Sequence, residues 1–122
     1  MTTQGFTLPG ATTSLDAVLG ATLYAKLHVG PPFDGTLNAS VFTTRQAVTF
    51  GAPDSNGVYD LSASFAFTPI VTVEGLWGVS LWTSLTVGEC WMVREFASMK
   101  TVFASDTLTV VSMPVVPTVV GL

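Results

Sequence analysis

The chain has 122 residues, of which 48% are apolar and only 10% charged, with a formal net charge of -4. Such a length fits one domain with one core, and four cations, Lys26, Arg45, Arg94 and Lys100, give no basic stripe for phosphate neutralisation, so nucleic acid is not an expected partner. A single cysteine excludes an intrachain disulfide, and no Cys/His cluster has metal-ligand spacing, so no metal is expected either.

Along the chain, residues 1–13 are rich in Thr, Gly and Pro and read as an extended arm. TSLDAVLGA then places Leu15, Val18 and Leu19 on one helical face. Thr13 or Ser14 is the expected cap, Asp16 favours the dipole in the first turn, and Gly20 is the stop. One or two helical turns are predicted. The N-terminal MTTQGFTLPGATTS has neither the basic patch nor the apolar run of a signal peptide, and no stretch is long enough to cross a bilayer as a helix. A soluble chain made in the cytoplasm, with no membrane partner, is expected.

From Ala21 the period changes to two. Leu23, Ala25, Leu27 and Val29 alternate with Thr22, Tyr24, Lys26 and His28, which predicts a half-buried strand. Gly30-Pro31-Pro32 ends it, because proline brings no N–H to a ladder, and Pro31 to Thr44 reads as a long surface loop. Further short strands are predicted at 47–50, 61–67, 70–74, 79–87, 90–96 and 107–111, with turns at Pro53 to Gly57, Thr68-Pro69, Gly75, Gly78, Gly88 and Ser105-Asp106. The tail MPVVPTVVGL is apolar but interrupted by Pro114 and Pro117, as in an edge or an arm reaching another subunit.

The fold expectation is therefore mostly β: a single antiparallel β-sandwich or barrel-like domain at 14–111, one short N-terminal helix, and extended arms at 1–13 and 112–122. No repeat, heptad or linker divides the chain.

Candidate chemistry is sparse. His28, the sole histidine, falls by alternation on the face opposite Leu23 and Leu27, beside Tyr24 and Lys26, and reads as an exposed structural or interfacial residue. Cys90 sits in the apolar, acidic stretch Glu89-Cys90-Trp91-Met92 and reads as a buried inert thiol. Asp34, Asp54 and Asp106 lie in turn contexts where aspartate serves the backbone. No GxGxxG, Walker loop, GxSxG or HExxH occurs, so no catalytic residue and no cofactor is assigned. Trp77, Trp82 and Trp91, with Phe33, Tyr24 and Tyr59, have flat faces that suit sugars, yet aromatics also dominate subunit interfaces.

SLDAVLG, the LYAKLHVG strand running into a Pro/Asp/Gly loop, TRQAVTFGAPDSNGVYDLSASFAF, GLWG and SDTLTV together resemble a family of small tailed-bacteriophage virion proteins labelled tail fibre or minor structural proteins. The resemblance covers Ser14 to Val111. It implies a non-catalytic particle component located in the virion and assembled in the host cytoplasm.

Two sites on the particle are then open. A fibre needs length or a trimerising repeat, and the chain has neither, which favours a capsid decoration (cement) protein. Its expected partners are itself, as a homotrimer, and the major capsid protein. The alternative is a tail, baseplate or fibre component touching host glycan. Expected interface anchors are Phe33, Trp77, Trp82 and Trp91, with Val115, Val116, Val119 and Val120 in the tail. A surface this short of charge is expected to be covered by other subunits.

Overall fold

The computed structural model describes residues 8–117. They form one helix and six strands, α1 (Leu8–Leu19), β1 (Leu23–His28), β2 (Gln46–Val48), β3 (Phe65–Phe67), β4 (Glu74–Trp82), β5 (Cys90–Val102) and β6 (Leu108–Val110). The strands make two antiparallel sheets, neither closed, in the orders β2-β1-β4-β5 and β3-β6. The mostly β expectation with one short helix holds; closure into a barrel does not occur.

The chain divides into two compact units. In the first, the described parts are 8–22, 49–64 and 111–117. Residues 8–13, expected to be extended, are helical. Pro9 falls in the first turn, where its missing N–H costs nothing. Thr13 and Ser14 are not caps but mid-helix residues whose hydroxyls donate back to the Pro9 and Gly10 carbonyls at 2.9 and 3.0 Å. Gly20 does terminate the helix, its N–H meeting the Asp16 carbonyl at 2.9 Å.

Tyr59 is the centre of this unit. It is 2% exposed, its backbone exchanges hydrogen bonds with Val115, and its hydroxyl proton is shared between the Asp16 carboxylate and the Thr12 carbonyl. Burial, then the bonded Asp16 carboxylate, push the phenol up to about 12. Asp60 ties the C-terminal segment, accepting from the Met113 N–H at 2.6 Å and the Ser112 hydroxyl at 2.7 Å. The 53–57 turn is as expected: Asp54 accepts the Asn56 and Val58 N–H groups and Gly57 takes a φ of 76°.

The second unit, Leu23–Val48 with Phe65–Val110, holds both sheets. Leu23, Ala25, Leu27, Val48, Leu76, Val79 and Leu81 are buried at its core. Phe67 packs edge-on against Phe42 and Phe65, with centroids 5.6 and 5.7 Å away, each contact worth about 0.5–1.5 kcal/mol beyond area burial.

Several strand boundaries differ from expectation. Gly75 and Gly78 lie inside β4 and not in turns. A Cβ on Gly78 would stand 2.2 Å from the Arg94 carbonyl oxygen, so β5 crosses at a bulge where only glycine fits. Leu61 and Ala63 stay outside β3, and 70–73 is irregular, held by Ile70 through its bonds to Asp106 and Ser105. Leu85 and Val87, expected on a strand, lie exposed in the 83–89 turn. β5 runs six residues past its predicted end at Phe96, along the sheet edge.

Candidate interaction surface

Cross-strand partners share a face of a sheet, and the register puts Tyr24 with Trp82, Lys26 with Ser80, and His28 with Gly78 on the face opposite Leu23, Ala25 and Leu27. The segment after β1 folds back across it. Val29 N–H bonds the Asn38 carbonyl, Ser40 N–H bonds the Leu27 carbonyl, and His28 bridges Ala39.

That return corrects the reading of His28 as exposed. The ring is wholly buried. Nδ1 lies 2.9 Å from the Leu37 carbonyl, which only accepts, so Nδ1 carries the proton and Nε2 accepts from the Ser80 hydroxyl at 2.7 Å. Ser80 Oγ in turn accepts the Trp82 indole N–H at 2.7 Å. Desolvation lowers the histidine's affinity for a second proton, and the neutral ring joins strand, loop and hairpin in one polar chain. Alternation along β1 placed the ring on the correct face; it could not show that a loop covers that face.

The loop above this chain is tightly specified. Asp34 Oδ1 accepts the Thr36 N–H and hydroxyl, and those bonds hold its carboxyl below the usual value. Gly35 and Leu37 N–H groups bond the Pro32 carbonyl, and Asn38 Nδ2 donates to the Pro31 carbonyl at 2.7 Å. Gly35 has a φ of 99° and no room for a Cβ, which would lie 2.7 Å from Cys90 Sγ. Phe33 at the tip adopts a φ of 56°, unfavourable for an aromatic residue, and is 74% exposed.

On the other side of Trp82, Arg45 stacks 4.1 Å above the ring and sends Nη1 to the Ser84 and Val87 carbonyls, both at 2.7 Å. It fixes the 83–89 turn. Cys90, expected to be buried, is half-buried; burial pushes its thiol up, and Sγ lies 3.4 Å from the Met92 carbonyl.

The eight predicted anchors are distributed unevenly. Phe33 and Val116 are exposed; Trp91 is 44% exposed, its indole N–H donating to Glu89 at 3.2 Å. Trp77, Trp82 and Val115 are half-buried, Trp82 between Arg45 and Ser80. Val119 and Val120 lie outside the described residues. Exposed apolar side chains that were not predicted include Leu37, Val41, Val71, Val73, Met99 and Phe103. Low charge content signalled that such residues exist without saying which. Among the described residues no group of three His, Cys, Asp or Glu side chains could hold a metal ion.

The family model for podophage GP4 fiber I protein gp80 matches residues 10–116. The chain belongs to this family. The match covers the stretch on which the motif resemblance rests, Ser14 to Val111, and makes a gp80-family chain a structural protein of the phage virion. Comparison with curated proteins gave no match, and comparison with solved structures gave none. In this gp80-family chain the preorganised loop carries Phe33 at its exposed tip, and β5 forms an edge of its sheet.

Proposed function

We propose that this chain is a non-catalytic surface module of the phage particle that works by repeated apolar contact, decorating the head shell as a homotrimer bound to the major capsid protein. The observation that carries the proposal is the set of large apolar side chains standing in solvent, Phe33, Val41, Val73, Trp91, Met99 and Phe103 among them, on a chain with only 10% charged residues. Individually such residues are ordinary, but together on so thinly charged a surface they mark interaction sites. Many weak contacts repeated over a lattice sum to tight attachment. The absence of heptads or an internal repeat favours a compact module over a shaft.

The second reading, a fibre or baseplate component that touches host glycan, is favoured by the word fiber in the description of the matching family. Electron microscopy of particles carrying a gold-labelled copy separates the two. Hundreds of labels spread over the head support decoration. A few labels clustered at the tail tip reject it in favour of the second reading.

A further inference from the structure

A cleft of about 390 Å³ in the second unit is lined by Lys26, Thr43, Thr44, Arg45, Leu85 and Thr86. Its volume lies within the range of small-ligand pockets, about 300–1,000 Å³. Two of the chain's four cations line it and no acid does, although acids outnumber bases eight to four. The cleft is thus a local positive region on a negative chain. Lys26 Nζ and the hydroxyls of Thr43, Thr44 and Thr86 have no hydrogen-bond or ion-pair partner among the described residues.

Arg45 is already oriented. Nη1 is held by the Ser84 and Val87 carbonyls and the guanidinium plane by the Trp82 ring, so its position is fixed before any ligand arrives. Its Nε and Nη2 N–H groups have no partner among the described residues. A planar fork of this kind matches a carboxylate, and an ammonium beside it adds a point charge. Three hydroxyls with a single apolar side chain, Leu85, suit a polyol better than a hydrophobic group.

We propose that this cleft binds the carboxylate of an acidic sugar, with Arg45 and Lys26 on the carboxylate and Thr43, Thr44 and Thr86 on ring hydroxyls. The assignment goes beyond the structural role above and is independent of whether the chain sits on head or tail.

Titrating the full chain with trigalacturonic acid, its trimethyl ester and inorganic phosphate, followed by calorimetry and amide chemical shifts, tests it. The expected result is saturable binding of the acid, with shifts at Thr43, Thr44, Leu85 and Thr86, weaker at high salt. Lys26→Gln is expected to weaken it about tenfold, as loss of one charge-assisted hydrogen bond would. Thr44→Val, which leaves both cations in place, is expected to weaken it by a smaller factor of about three.

Four results would overturn the proposal: no saturation by about 10 mM acid, ester binding as tight as the acid, phosphate binding as tight as the acid, or shifts confined to other residues. Should Lys26→Gln fail to fold, the Thr44→Val titration and the shift map of the unaltered chain still decide the matter.

Discussion

His28 donates from Nδ1 and accepts at Nε2 with no access to water, so removing it strands the Leu37 carbonyl and the Ser80 hydroxyl together. His28→Ala is expected to cost about 2–4 kcal/mol, read as a shift in the urea midpoint. Because its folded-state proton affinity is lowered, the stability it confers is complete above the unfolded value near 6.5 and declines as pH falls below it. A denaturation series from pH 8 to pH 5 should show that decline, and His28→Gln should flatten it. Tyr59 sets the opposite limb. With its phenol pushed up to about 12 from an ordinary 10, its contribution is intact below pH 10 and is lost as pH rises through about 12. Tyr59→Phe is expected to cost about 1 kcal/mol at neutral pH and to remove this alkaline loss; an alkaline titration followed by circular dichroism that leaves the two proteins parallel would contradict it.

At the scale of elements, β4 and β5 depend on one glycine. The Gly78 Cα approaches the Arg94 carbonyl so closely that an added methyl must displace β5, and Gly78→Ala is expected to destabilise the protein by about 1–3 kcal/mol. Thermal melting of that variant beside Gly51→Ala, where a Cβ would meet only ordinary contact at 3.8 Å, isolates the effect of space. β5 itself runs from Cys90 to Val102 along the open edge of its sheet, with Trp91, Val93 and Met99 exposed. Long apolar edges are sites of association unless charge interrupts them; the exposed Glu95 and Lys100 interrupt this one, leaving Trp91 and Val93 as its apolar end. Val93→Lys, at an exposed position, is expected to leave the melting temperature nearly unchanged while lowering self-association in light scattering. Unchanged association would place the contact elsewhere.

For the whole molecule, the balance of apolar surface against charge decides behaviour. Only twelve side chains of the Lys, Arg, Asp and Glu types serve 122 residues, and the proposed assembly predicts that the purified protein scatters light as an oligomer at micromolar concentration. A stable monomer would reject self-assembly without touching membership of the gp80 family, which rests on the matched residues. Substituting the two most exposed of the described anchors together, Phe33→Ser with Val116→Ser, is expected to shift the population toward monomer while leaving far-UV circular dichroism unchanged, since neither side chain is in the core.

Period-two alternation in LYAKLH, the proline pair after it, the Asp54 to Gly57 turn and the scarcity of charge are local or compositional properties. From them alone the sequence determined a mostly β chain, the β1 core face and a surface short of charge. Where contacts join residues distant along the chain, local patterns carry no information. Only the tertiary structure decided that Gly78 is a crossing point and not a turn, that α1 reaches back to Leu8, and that Trp82 is held by Arg45. His28 is the clearest case. Its face follows from alternation, but its burial depends on a loop that returns from Asn38 and a hydroxyl supplied by Ser80, 52 residues away in sequence. Such a pairing is selected by packing and by the cost of leaving buried polar groups unbonded, and both exist only once the chain has folded.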